Sequence, residues 1–235
     1  MAKRYLGVFL AYLFAQLSPI PVAMILRSME VNLTTYNNIV MGWQITAFIL
    51  ALIISIILLR KVEDFPRNSD RASPLMTVIW SILGFFMALT GQMIANMFQI
   101  VILGIEEQSQ NTAEILELTR AFPIFVILVA IVGPILEELI FRKIIFAELY
   151  KRTNFIIAGS ISGIMFAVVH DDFTHLLIYF VMSFVFAYVY VQSKRIIVPI
   201  TAHVLMNTFV VVTQLFLPEE LIEQANVIQL ILIGG

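Results

Sequence analysis

The longest segment without a charged residue runs from Ala72 to Gly104, and it constrains the fold more than any other feature of the chain. A helix needs roughly 20 apolar residues to cross a bilayer, so this segment is longer than one span requires. It is too short for two spans and a turn, and we therefore expect one long or kinked transmembrane helix.

The composition extends this conclusion to the whole chain. Of its 235 residues, 60% are hydrophobic and 13% are charged, whereas soluble domains are about 45–50% apolar and about 25% charged. These values exclude a soluble globular domain and a disordered chain. The apolar runs are continuous and do not alternate, which favours helical spans over a transmembrane barrel. The net charge of −2 gives no basic footprint for nucleic acid, and the absence of cysteine excludes disulfides, thiol nucleophiles and thiolate metal ligands.

The hydropathy pattern predicts an all-α, polytopic bundle of about seven spans in a single domain. The predicted spans are Tyr5–Leu26, Ile39–Leu59, Ala72–Gly104, one beginning near Ala121, Phe155–Val169, Phe173–Val191 and Ile196–Leu217. Residues 1–120 would then hold three N-terminal spans and residues 121–217 the functional core. Residues 218–235 are expected to form a short, half-inserted helix.

The distribution of basic residues predicts the orientation of the bundle. If the spans alternate, only Arg27 and Arg120 fall on one side, and the loops on that side are acidic. The other side holds Lys3, Arg4, Arg60, Lys61, Arg67, Arg71, Arg142, Lys143, Lys151, Arg152, Lys194 and Arg195. Basic loops remain in the cytoplasm, so we expect a cytoplasmic N-terminus in a multi-pass protein, in a bacterial cell membrane.

Three short patterns place polar or ionisable side chains inside predicted spans, where their cost usually marks a functional site. The spacing i, i+4 puts two side chains on one face of a helix. Helical rise places the polar groups at comparable depths, roughly 12 to 24 Å from the basic helix ends. The patterns are Glu137-Glu138-x-x-x-Arg142, Phe166-x-x-x-His170 and His203-x-x-x-Asn207.

Each pattern alone also has a structural interpretation. The first can be an ion pair at a helix end, the second an interfacial histidine, and the third a pair of side chains that hold helices together by hydrogen bonds. These interpretations do not require three helices to agree. The joint occurrence of the patterns on successive spans therefore favours one shared site. His175 lies off the face of His170 and is given no role.

Together the three ordered patterns resemble the motifs of the CAAX-protease and bacteriocin-processing family, also called the Abi family of intramembrane endopeptidases. The resemblance covers roughly Phe122 to Phe216, and the sequence departs from the family at no motif position. It is similar to the type II CAAX prenyl endopeptidase branch, and the His-Glu-x-x-His string of the zinc branch is absent. The resemblance implies a membrane-embedded peptidase that cleaves a lipidated or hydrophobic substrate.

Hydrolysis of an amide requires an activated water, stabilisation of the oxyanion and a proton for the leaving amine. A carboxylate removed from bulk water can act as the base, and we assign this role to Glu137, sharing the water with His170. His203 and Asn207 are the expected oxyanion donors. No motif places a serine beside a histidine, so a covalent intermediate is not expected.

Three further residues are assigned supporting roles. Glu138 is expected to pair with Arg142 at membrane depth and to hold the helix in register, because the two side chains are one turn apart. Phe166 belongs to the second motif and lies one turn before the histidine.

A metal-dependent alternative stays open at this point. Glu137, His170 and His203 would form a three-ligand hydrolytic zinc set with an open water position. Histidine ligands normally need a second partner for the other ring nitrogen. Only Asp171 and Asp172 are near His170 in sequence, and no comparable residue flanks His203. We therefore expect no tightly bound metal.

Three functions are consistent with these observations. The first is an intramembrane endopeptidase acting on a membrane-associated peptide or protein. The second is a non-catalytic module for bacteriocin immunity or sensor scaffolding, which would not need the full set of catalytic side chains. The third is a proton-coupled transporter, which usually shows internal repeats that are not visible here.

Overall fold

The computed structural model describes residues 2–63, 71–105 and 109–216, and each regular element in these ranges is helical. The prediction of an all-α bundle is confirmed, while the predicted helix at 218–235 lies outside the described residues. The helices, numbered in chain order, are α1 (Ala2–Leu17), α2 (Pro19–Ser28), α3 (Leu33–Leu59), α4 (Pro74–Phe98), α5 (Gln110–Ala121), α6 (residues 125–150), α7 (Phe155–Val168), α8 (Leu176–Ser193) and α9 (Ile197–Phe216).

Five spans in these ranges are long and apolar enough to cross a membrane: α1 together with α2, α3, α4 with its continuation, α8 and α9. The other two predicted spans differ from these. The helix α7 is apolar but has only 14 residues, and α6 carries the charged first motif. Large apolar side chains such as Leu6, Phe86 and Ile164 point outward and are more than half exposed, as suits a surface in contact with lipid.

The first predicted span is interrupted and the third is continuous, and single residues explain the difference. The first is broken at Ser18, because Pro19 begins a new helix, and Trp43 Nε1 of α3 donates to Ser18 Oγ at 2.9 Å. The third is one long helix as predicted. It continues beyond α4 as a π-helix, Gln99–Leu103, and ends at Gly104, whose φ of 68° is left-handed.

The helix α5 was not predicted, and the fourth predicted span begins at Phe125, not near Ala121. Glu114 and Glu117 interrupt the apolar pattern of α5, so the hydropathy of the sequence did not indicate this helix. Ser109 caps this helix by accepting from Thr112 N at 3.2 Å.

Small residues allow α4 to lie close to its neighbours. A Cβ atom added at Gly84 would come within 3.0 Å of Ala202 Cβ on α9, and one at Gly91 within 3.0 Å of Val181 Cγ1 on α8. Such close approach is a common basis of helix packing in membranes, where the hydrophobic effect between helices is weak.

Hydrogen bonds between helix ends occur at two opposite faces of the bundle. On the face that carries Lys3, Arg4 and Arg195, called the basic face, Tyr5 Oη donates to Glu148 Oε1 at 3.1 Å, and Arg195 Nε donates to Ala72 O at 2.7 Å. At the opposite face, Gln99 Nε2 donates to Thr174 O at 2.7 Å. The three motifs lie between these two faces.

Candidate active site

The acid pair lies within α6, where an α-helical segment, Gly133–Glu137, meets a π-helical segment, Glu138–Phe146. A π-helix adds one residue to a turn, and such segments are frequent at functional sites. The side chain of Glu138 is fully buried, whereas that of Glu137 is 17% exposed. The adjacent carboxylates therefore have different surroundings.

Arg142 is fully buried one turn after Glu138, and the expected contact between them is present, with 3.2 Å from Nε to Oε2. The guanidinium carbon lies 4.3 Å from the centroid of the Phe166 ring and 5.3 Å from that of Phe186. Among the described residues, Arg142 Nη1 and Nη2 have no hydrogen-bond partner. The burial of this charge is therefore offset by one carboxylate and by two aromatic faces, which attract cations.

Ser162, Phe166 and His170 follow one another at four-residue intervals along α7 and the turn after it. Ser162 Oγ donates to Phe141 O of α6 at 2.8 Å, and the buried Phe166 ring packs edge-on against that of Phe141. His170 Nδ1 lies 2.7 Å from Phe166 O. Because a carbonyl only accepts, Nδ1 donates to it, and in the neutral imidazole the lone pair is then at Nε2.

His203 of α9 joins the third motif to the acid pair. Its Nδ1 lies 2.9 Å from Glu138 Oε1, and its Nε2 lies 3.8 Å from Glu137 Oε2. The expectation that no acidic residue flanks His203 is wrong. Glu138 is 65 residues earlier in the chain and reaches the imidazole only through helix packing.

Asn207, one turn after the histidine, donates from Nδ2 to Val129 O of α6 at 3.2 Å. The carbonyl of Val129 lacks its usual backbone donor because of the local geometry of α6. Gly133 N donates to Leu128 O in the i to i−5 pattern of a π-helix, and the next residue, Pro134, has no N–H to offer Val129. The asparagine amide replaces the missing backbone donor.

The predicted catalytic residues meet at one cavity of about 280 Å³, which Glu137, His170, His203 and Asn207 all line. Part of its remaining wall comes from helices outside the three motifs. These residues are Tyr12 and Gln16 of α1, Gln44 and Phe48 of α3, and Asn111 and Leu116 of α5.

Comparison with known proteins identifies the family of this chain. The family model described as Type II CAAX prenyl endopeptidase Rce1-like matches residues 119–209, which contain all three motifs. The "Putative membrane peptidase YdiL" of Bacillus subtilis (strain 168) is 41% identical over 244 residues, covering 100% of this chain and 99% of the relative. The "Membrane-embedded CAAX protease MroQ" of Staphylococcus aureus (strain USA300) is 34% identical, with 92% of each chain covered. The chain belongs to the Rce1-like CAAX protease family. No solved structure matches it.

Membership in the Rce1-like family decides among the three functions considered from the sequence. The protein is an integral membrane protease, and the family acts on membrane-associated protein substrates in the bilayer. The resemblance found from the three motifs is confirmed.

The Rce1-like site meets only part of what a zinc site requires. Both histidines have the second partner that a ligand needs, Phe166 O for His170 and Glu138 for His203. However, within the described ranges no three His, Cys, Asp or Glu side chains lie close enough together to hold a metal ion. The set Glu137, His170 and His203 therefore does not fit a three-ligand metal site as placed.

Asp171 and Asp172 do not support His170. Asp171 is exposed, and Asp172 instead accepts from Ser109 Oγ at 2.6 Å and lies 2.9 Å from His175 Nδ1. Burial opposes ionisation of Asp172, but the hydrogen bonds from Ser109 and His175 outweigh it and lower the pKa of this carboxyl below its ordinary value. His175, which was given no role, is thus a buried structural partner.

The residues that line the cavity from α1, α3 and α5 were not predicted from the sequence. One signal was available for α1: Tyr12 and Gln16 are polar, four residues apart and within an otherwise apolar helix. Gln16 Nε2 donates to Tyr12 Oη at 2.9 Å. This is the same i, i+4 spacing that identified the three motifs.

Proposed function

We propose that the protein cleaves a peptide bond of a membrane-associated or lipidated peptide or protein by direct attack of a water molecule. The observation that carries this proposal is the convergence of Glu137, His170, His203 and Asn207 on one cavity between the two faces of the bundle.

Glu137 and His170 are the groups that activate the water. His170 offers the lone pair of Nε2, because its Nδ1 proton is donated to Phe166 O. Glu137 takes the proton of the water as its oxygen attacks the carbonyl carbon, and it returns that proton to the leaving amine when the C–N bond breaks.

His203 and Asn207 stabilise the oxyanion. Glu138 accepts from His203 Nδ1 at 2.9 Å, so a doubly protonated ring is the form that donates to the oxyanion through Nε2. Asn207 uses one Nδ2 hydrogen for Val129 O, which orients the amide, and its second hydrogen serves the oxyanion.

We also propose that the basic face of the bundle, marked by the contacts of Tyr5 with Glu148 and of Arg195 with Ala72, faces the cytoplasm. This orientation rests on the positive-inside distribution of Lys and Arg. It places the N-terminus on the cytoplasmic side.

The proposal is tested first by comparative peptidomics, which can be carried out before the substrate is identified. Membranes of bacterial cells that produce the wild-type protein are compared with membranes that contain the Glu137→Gln variant at equal abundance. We expect peptides that appear only with the wild type, and a synthetic peptide spanning one such cleavage site, called the reporter peptide below, then serves for kinetics in liposomes. Identical peptide sets would contradict the proposal.

Asn207→Ala is expected to lower the rate of reporter-peptide cleavage by about 10²- to 10³-fold, the usual loss for one oxyanion donor. The rate is measured with enzyme in excess in liposomes. Thr208→Ala is the matched control, because Thr208 is adjacent on α9 and does not line the cavity. An Asn207→Ala rate equal to that of the Thr208→Ala protein would remove Asn207 from the mechanism.

Dialysis of the purified protein against a strong chelator is expected to leave most of its activity on the reporter peptide. The physical reason is that Glu137, His170 and His203 do not form a three-ligand set as placed. Zinc content is measured in parallel by elemental analysis. Stoichiometric zinc, with activity lost to the chelator and restored by added zinc, would overturn this prediction.

A further inference from the structure

Tyr179 of α8 is the closest aromatic neighbour, within the described ranges, of the proposed water-activating histidine. Its ring is stacked on the His170 imidazole, with 4.2 Å between centroids and 24° between planes. Tyr179 is 3% exposed and lines the cavity beside His170. It belongs to none of the three motifs.

The backbone around His170 gives the imidazole little support. His170 lies after the last residue of α7, Val168, and its N–H makes a turn contact to Ala167 O at 3.2 Å. The next residue, Asp171, has a left-handed φ of 53°. The ring is held by one hydrogen bond, from Nδ1 to Phe166 O. The direction of Nε2 also depends on the two rings that enclose the imidazole, that of Tyr179 and that of Phe166, whose centroid lies 4.6 Å from the imidazole centroid.

The hydroxyl of Tyr179 is in turn fixed by the start of α5. Asn111 Nδ2 donates to Tyr179 Oη at 3.2 Å, and Tyr179 Oη lies 3.2 Å from Ser109 Oγ. Since the hydrogen of Ser109 Oγ is donated to Asp172 at 2.6 Å, the tyrosine hydroxyl is the donor to Ser109. Tyr179 is thus anchored at the hydroxyl end and stacked on the imidazole with its face.

We propose that Tyr179 is a positioning residue for the reaction. Its ring fixes the plane of the His170 imidazole so that Nε2 faces the catalytic water, and its hydroxyl links that plane to α5. This inference rests on the proposed function, in which His170 shares the water with Glu137. Because Asn111 and Leu116 of α5 also line the cavity, the helix that contacts a bound substrate is the helix that anchors Tyr179.

The test is a double-mutant cycle with the reporter peptide in liposomes, measured with enzyme in excess. Tyr179→Leu removes the stacked ring and is expected to lower the cleavage rate by about 10²-fold, as misplacement of a reacting group does. Tyr179→Phe keeps the ring and loses the hydroxyl contacts, so we expect a loss of no more than about tenfold. Substrate KM should change little in either variant.

Two further variants separate positioning from loss of stability. In a His170→Ala background, Tyr179→Leu is expected to have no additional effect on the rate, because the group it positions is gone. Tyr190→Leu is the matched control: Tyr190 is a buried tyrosine of the same helix, packed in a separate cluster with Phe146 and Ala158. It is expected to lower the melting temperature without lowering the rate.

Imidazole proton resonances supply a readout independent of activity. The chain has only three histidines, and the His170 signal is identified by its loss in His170→Ala. Tyr179→Leu should shift this signal through the lost ring current, while Tyr179→Phe should keep it in place. Full activity of His170→Ala would refute the proposed function. Two outcomes would refute only the positioning role of Tyr179. One is a His170→Ala protein that loses cleavage activity and loses more when Tyr179→Leu is added. The other is a His170 resonance that does not move in Tyr179→Leu.

Discussion

Glu137→Gln is expected to lower the cleavage rate of the reporter peptide by about 10²- to 10⁴-fold, the usual contribution of a general base, while leaving the protein folded. The amide keeps the shape of the side chain but cannot take a proton from water. Stability should be retained because the carboxylate is partly exposed and its distance to His203 Nε2, 3.8 Å, is too long for a direct hydrogen bond.

The rate is measured in liposomes, and folding by thermal unfolding in detergent. Glu117→Gln on the exposed side of α5 is the matched control, because it removes one carboxylate outside the cavity. Equal rates for the Glu137→Gln and Glu117→Gln proteins would exclude Glu137 as the base.

Glu138→Gln is expected to lose both activity and stability, with a loss of about 3–5 kcal/mol in the free energy of unfolding. The variant removes the carboxylate that is paired with Arg142, whose charge then stays buried beside Phe166 and Phe186. It also replaces the carboxylate that holds His203 Nδ1 at 2.9 Å. The free energy of unfolding is measured by reversible denaturation in mixed micelles.

A paired substitution separates these two roles. Glu138→Leu combined with Arg142→Met removes both buried charges, and well-packed apolar replacements of buried ion pairs are often neutral or stabilising. We expect this double variant to recover most of the lost stability and to stay inactive, because His203 still lacks its partner. Recovery of cleavage in the double variant would limit the role of Glu138 to neutralising Arg142. Equal stability of the Glu137→Gln and Glu138→Gln proteins would contradict the assignment of a catalytic role to Glu137 and a structural role to Glu138.

The sequence was sufficient to predict contacts within a helix. The interval of four residues between Glu138 and Arg142 predicted their pairing, because it reflects the geometry of a single helical turn. The apolar pattern likewise predicted one long helix over Ala72–Gly104, since hydropathy is a local property. Helix ends such as Phe125 and the break at Ser18 were less well predicted, because caps and single prolines decide them.

Contacts between different helices could not be predicted from the sequence and were found only in the structure. The bond from His203 to Glu138 joins residues 65 positions apart, and the stacking of Tyr179 on His170 depends on how α8 packs beside the end of α7. The four-residue spacing put His203 and Asn207 on one face of α9, but it did not indicate which nitrogen of the imidazole would be occupied. The carbonyl of Val129 became an acceptor only because Pro134 follows a π-helical turn.

Two parts of the chain line the cavity. The groups assigned to the chemistry lie within residues 119–209, the segment that matches the family, whereas Tyr12, Gln16, Gln44 and Phe48 face the same space from the N-terminal part of the chain. Substitutions at these four positions therefore change the shape of the cavity and leave each side chain assigned to the chemistry in place.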